Sequence, residues 1–138
     1  MRLQRAILFV KDFDQMTEFY RDVLQMKPLP HTAAEGWLEF DSGLALHAIP
    51  VEIAQEIHPG PILHETPLKL AFAVDDLEAE YRRLKGLDVP ITLYTWGAAD
   101  GVDPEGNIFQ LCRVQLETNQ PVHHVIDDSQ QDGTDDSG

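Results

Sequence analysis

The chain predicts an α+β fold: two tandem βαβββ modules whose curved mixed sheets form around a cleft. Two observations carry this. The first is a repeated strand. Arg5-Ala6-Ile7-Leu8-Phe9-Val10-Lys11-Asp12-Phe13 matches Lys69-Leu70-Ala71-Phe72-Ala73-Val74-Asp75-Asp76-Leu77, and each apolar run opens with a cation and closes on Asp. The second is a repeated turn. Asp103-Pro104-Glu105-Gly106-Asn107 leads into Ile108-Phe109-Gln110-Leu111, and a fainter copy, Asp41-Ser42-Gly43, leads into Leu44-Ala45-Leu46-His47. The two turn glycines are 63 residues apart and the two strand starts 64 apart, so the match spans a whole half.

Each element has a local reason. After the first strand, Met16, Phe19, Tyr20, Val23 and Leu24 recur on one face of a helix, with Asp12 or Asp14 as its N-cap. Strands are expected over roughly Pro28 to Thr32, Trp37 to Phe40 and Leu44 to Ile49. The second half repeats the order. Leu77, Tyr81 and Leu84 mark the helix, Asp75 or Asp76 caps it, and Gly86 ends it. Its strands fall at roughly Pro90 to Tyr94, Ala98 to Val102 and Asn107 to Arg113. Pro104 and Gly106 supply the turn geometry before the last strand.

The domain is therefore expected over 1–114, as module one 1–50, a linker 51–67 containing His58-Pro59-Gly60-Pro61, and module two 68–114. Residues 115–138 form an acidic tail with six acids and no Lys or Arg, expected to be disordered from about 127. The whole chain carries a formal charge of −14, a poor match for nucleic acid or an anionic membrane. No apolar run is long enough to span a bilayer, no signal peptide is visible, and the single Cys112 excludes a disulfide framework. A cytoplasmic location is expected.

The pattern resembles the vicinal oxygen chelate superfamily of glyoxalase I, bleomycin- and fosfomycin-resistance proteins and extradiol dioxygenases. The resemblance runs from about Arg2 to Arg113. It rests on Ile7-Leu8-Phe9-Val10-Lys11-Asp12 leading to Phe19-Tyr20-Arg21-Asp22-Val23-Leu24, on Trp96-Gly97, and on the Asp103 to Asn107 turn with its final strand. It implies homodimerisation. It also implies four metal positions in the cleft, which fall here on Arg5, His47, Lys69 and Gln110. The last-strand pair is placed by counting four residues on from Gly43 and Gly106. Arginine cannot coordinate a metal, and lysine can do so only after losing a proton. One imidazole and one amide make a poor cage for a divalent ion, so no metal or other cofactor is expected.

Strand alternation then defines a ligand-facing surface without a metal. Arg5, Ile7 and Phe9 share one face, as do Lys69, Ala71 and Ala73. The final strands add Ala45, His47 and Ile49, then Ile108, Gln110 and Cys112. Trp37, Tyr94 and Trp96 are rim aromatics. Arg5 and Lys69 either grip a carboxylate or phosphate or pair with local acids. His47 is either a general base or a hydrogen-bonded structural residue. Cys112 reads as a small buried hydrophobe rather than a reactive thiolate. His58, His64 and Glu65, and His123-His124, read as solvated rather than as a second metal site. The functional expectation is a metal-independent protein that binds a small, partly apolar molecule, with an anionic group matching the cations. The alternative is a lyase, isomerase or dioxygenase of the same superfamily that uses His47.

Overall fold

Both halves begin with a strand that buries one side and leaves the other open. In the computed structural model, which describes residues 1–50, 52–53 and 68–114, β1 spans Ala6–Val10 with Val10 buried and Ile7 and Phe9 exposed. Helix α1 follows over Phe13–Glu18 and runs into one π turn, Phe19–Val23. Strands β2 (Pro28–Ala34), β3 (Trp37–Phe40) and β4 (Leu44–Ala48) complete the first module. The second contains β5 (Leu70–Val74), α2 (Leu77–Gly86), β6 (Ile91–Tyr94), β7 (Ala98–Val102) and β8 (Ile108–Arg113). The sheets are ordered β1-β4-β3-β2 and β5-β8-β7-β6, each with one parallel and two antiparallel pairings. This is the α+β, two-module architecture that the repeat predicts. The acidic tail, the linker histidines and His123-His124 lie outside the described residues.

The helix caps follow the sequence. Asp12 accepts a hydrogen bond from Gln15 N–H, and Asp76 accepts one from Ala79 N–H, both at 3.0 Å. Each satisfies a first-turn donor that has no partner within the helix. Gly86 is the last helical residue of α2, but the left-handed residue that follows is Asp88, at φ +60°; Gln25 plays that part after the first helix, at φ +58°. The π turn is the departure from simple 3.6-residue periodicity. Leu24 N–H reaches back five residues to the Phe19 carbonyl at 2.9 Å. Phe19 and Tyr20 are both buried, with their rings edge to face at 5.3 Å.

One apolar core runs through both modules. Met16, Phe19, Phe40 and Leu46 of the first pack into the same cluster as Leu77, Leu84, Phe109 and Leu111 of the second. The Phe19 and Phe109 rings lie 5.9 Å apart across the junction. Phe109 also covers Gly101, where a Cβ would fall 2.3 Å from the ring. At the seam, a cavity of about 270 Å³ is bounded by Arg5, Ala6 and Leu44 on one side and Leu70, Ala71 and Phe72 on the other. A second, of about 120 Å³, places Leu8 beside Leu68 and Leu70.

The Asp103 to Asn107 turn does more than open a strand. The Asp103 carboxylate, 4% exposed, accepts from Glu105 N–H and Asn107 N–H at 2.9 Å and from the Asn107 side-chain amide. Its other oxygen accepts from the Tyr20 hydroxyl of the first module at 2.7 Å. Burial, and then the Asp103 carboxylate, push the Tyr20 phenol well above its usual range. Glu105 reaches the same module, accepting from the main-chain N–H of Lys11 at 2.9 and 3.0 Å and of Asp12 at 2.8 Å. The turn is therefore a clamp between the two halves.

Candidate functional site: the two open sheet faces

The open face of the first sheet is read from its register. Ile7 lies opposite Ala45 and Phe9 opposite His47; Ala45 faces Glu39, and His47 faces Trp37. Directly opposed residues share a face. Ile7 and Phe9 are 46% and 42% exposed, so this side is apolar and uncovered. The His47 ring sits between Phe9 and Trp37, with centroids 5.5 Å from each. Among the described residues its nitrogens have no hydrogen-bond partner. His47 thus packs as the middle ring in a row of three.

The second face is built from β5, β8, β7 and β6. Ala71 faces Gln110, which faces Asp100 and then Thr92; Ala73 faces Cys112, which faces Ala98 and then Tyr94. The Cys112 thiol is half-buried and donates to the Phe72 carbonyl at 3.6 Å. Trp96 is not on the sheet face. It projects from the turn after β6, 68% exposed, and stacks on Tyr94 at 5.7 Å. Arg5 and Ala71 line the same seam cavity.

The cationic end expected from Arg5 and Lys69 is internally neutralised. Arg5 pairs with Glu39 at 2.8 Å, and Lys69 donates to Asp100 at 2.6 Å. The Gln110 amide N–H donates to the other Asp100 oxygen at 3.0 Å. Glu39 and Asp100 escape a reading that looks only at strand ends. Their signal was present, since Leu38 and Phe40 point inward and leave Glu39 on the side of Trp37.

The register also corrects the equivalence drawn from the turn glycines. With Ile7 matched to Ala71, the counterpart of Gln110 is Ala45, and that of His47 is Cys112. Counting from Gly43 and Gly106 is off by two because Gly43 stands two residues before Ala45 but Gly106 stands four before Gln110, in a longer hairpin.

The family model described as Glyoxalase/Bleomycin resistance protein/Dioxygenase superfamily matches residues 2–111. The chain belongs to that superfamily. Solved structures share the fold of this glyoxalase-superfamily chain at low identity. A protein of unknown function from Agrobacterium tumefaciens str. C58 has a TM-score of 0.65 at 22% identity, over 83% of this chain and 95% of that one. TnmS3, an antibiotic binding protein from Streptomyces sp. CB03234, has a TM-score of 0.58 at 21% identity, over 83% and 97%. The fosfomycin resistance protein FosX from Mesorhizobium loti has a TM-score of 0.59 at 17% identity, over 83% and 93%. No curated protein sequence matches the chain. No helix among the described residues is long and apolar enough to cross a membrane.

The donor set does not fit the divalent ion that the resemblance implies. A metal at the four positions drawn from the turn glycines would meet a guanidinium and an ammonium, each already paired, an amide turned to Asp100, and one imidazole; the register's own pairs, Ala45 with Gln110 or His47 with Cys112, leave the same two paired cations in the set. Among the described residues, no three His, Cys, Asp or Glu side chains gather closely enough to hold one.

Proposed function

We propose that this glyoxalase-superfamily protein is a metal-independent binder of a small, partly apolar molecule, held on the two open sheet faces. The observation that carries the reading is the pairing of Arg5 with Glu39 and Lys69 with Asp100, on faces that leave Ile7 and Phe9 uncovered. Charges tied up in this way neither ligate a metal nor polarise a substrate. An uncovered apolar strip with three clustered rings, by contrast, gains from covering by a ligand. Fold relatives named for antibiotic binding and fosfomycin resistance support the same class of role. His47, packed between Phe9 and Trp37, contributes contact surface. Homodimerisation is part of the proposal, since a second copy would enclose faces that one chain leaves open.

The test is elemental analysis and native mass spectrometry on one sample purified without chelator, followed by a thermal-shift screen of small molecules. The expected result is no stoichiometric divalent metal, dimer mass, and a stabilising ligand whose effect survives EDTA and weakens in Phe9→Ala. One Zn, Ni, Mn or Fe per chain, lost in His47→Ala, would overturn the reading.

A further inference from the structure

We infer that Glu39 and Asp100 are specificity-determining residues of this cleft: by holding Arg5 and Lys69 they select uncharged aromatic ligands over anionic ones. The inference rests on the binding reading above and adds the charge class of the ligand.

The two acids occupy the same place in the two halves. Glu39 lies two strands from Ile7 through Ala45, and Asp100 lies two strands from Ala71 through Gln110. Arg5 and Lys69 each stand two residues before those matched positions. Each half thus carries one cation and one carboxylate in the same diagonal arrangement, although the residues around them differ. In both pairs the carboxylate is the more buried partner, so the acid is the fixed member and the cation is drawn to it. An incoming anion would have to displace a carboxylate already at contact distance, and would then lie beside it. That cost falls on anions alone.

The uncharged parts of the faces describe the rest of the ligand. The row Phe9, His47 and Trp37 in the first half corresponds to Ala73, Cys112 and Ala98 in the second. The first half offers three rings in a row, while the second offers small side chains that end on Tyr94, which suits a flat ring laid on the first half. Gln110 commits its N–H to Asp100, which leaves its carbonyl oxygen to accept from a neutral N–H or O–H on the ligand.

Two fluorescent probes separate the charge classes: N-phenyl-1-naphthylamine, which is neutral, and 8-anilinonaphthalene-1-sulfonate, which adds a sulfonate to the same framework. Titrated into the full chain, the neutral probe should bind tighter. Glu39→Gln and Asp100→Asn should each raise sulfonate-probe affinity about five- to tenfold, the effect of freeing one cation for a charge-assisted contact, and change the neutral probe little. Lys69→Gln added to Asp100→Asn should reverse the gain. Circular dichroism checks folding, and if one acid variant fails to fold, the other, in the opposite module, answers the question alone. Tighter binding of the sulfonate probe by the wild type, or an unchanged preference in the folded variants, overturns the inference while leaving the cleft in place. Absence of binding by both probes, or binding untouched by Phe9→Ala and Trp37→Ala, overturns the cleft reading and this inference with it.

Discussion

Removing the Glu105 carboxylate isolates the clamp between the modules. Its two oxygens accept from two main-chain N–H groups at 2.8 to 3.0 Å, at the point where β1 passes into α1. A hydrogen bond to a charged group contributes about 1.5–3 kcal/mol when shielded, but Lys11 and Asp12 are exposed and water would replace part of the loss. The expected cost of Glu105→Ala is therefore about 1–2 kcal/mol, or a fall in Tm of roughly 3–6 °C for a domain of this size. Glu105→Gln keeps one acceptor oxygen and should lose about half as much. Lys11→Ala is the control. The bonded group is the Lys11 backbone amide, so removing its ammonium should change stability by less than about 0.5 kcal/mol. Urea unfolding monitored by tryptophan fluorescence reads all three variants. If Lys11→Ala costs as much as Glu105→Ala, the contact is an ordinary ion pair and the reasoning fails. A Glu105→Ala variant as stable as wild type would refute it equally.

The buried Tyr20 phenol makes an alkaline prediction. Its folded pKa is raised above the ordinary 10.0, so its contribution is complete below pH 10 and drains away as pH climbs toward the folded value. Unfolding free energies from urea titrations should fall by up to about 1.4 kcal/mol per pH unit in that window, and Tyr20→Phe should lack this component. At neutral pH the same variant leaves the Asp103 oxygen without its 2.7 Å donor and should cost about 1–3 kcal/mol. Gly101→Ala should destabilise by about 1–3 kcal/mol or more, because the new Cβ meets the Phe109 ring at 2.3 Å. Pairing it with Phe109→Leu should recover part of that loss; purely additive costs would show that the ring is not what excludes the methyl group.

Strand and helix positions were legible because they are local. Alternation in Trp37-Leu38-Glu39-Phe40 and the spacing of Leu77, Tyr81 and Leu84 carry their own evidence, and so do the capping aspartates. What escaped depended on partners distant in the chain. The π turn carries Phe19 and Tyr20, which contact Phe109 and Asp103 of the second module, and 3.6-residue periodicity does not encode it. That Arg5 and Lys69 pair with acids was one of the two readings of the sequence; which acid sits beside each cation depends on the register. The turn-based match of His47 to Gln110 failed because the β7–β8 turn is longer, and those extra residues hold the clamp.

That longer turn bears on how the duplication must have aged. A chain assembled from two copies of the first half would have no Asp103 to receive the Tyr20 hydroxyl and no Glu105 to reach the start of α1. A chain of two second halves would carry the turn twice, but with Leu84 where the first half presents Tyr20. The halves have become lock and key within one chain. Neither can now revert to its sister's sequence without orphaning a contact in the other, since the Tyr20 hydroxyl and the Asp103 carboxylate meet across the two halves.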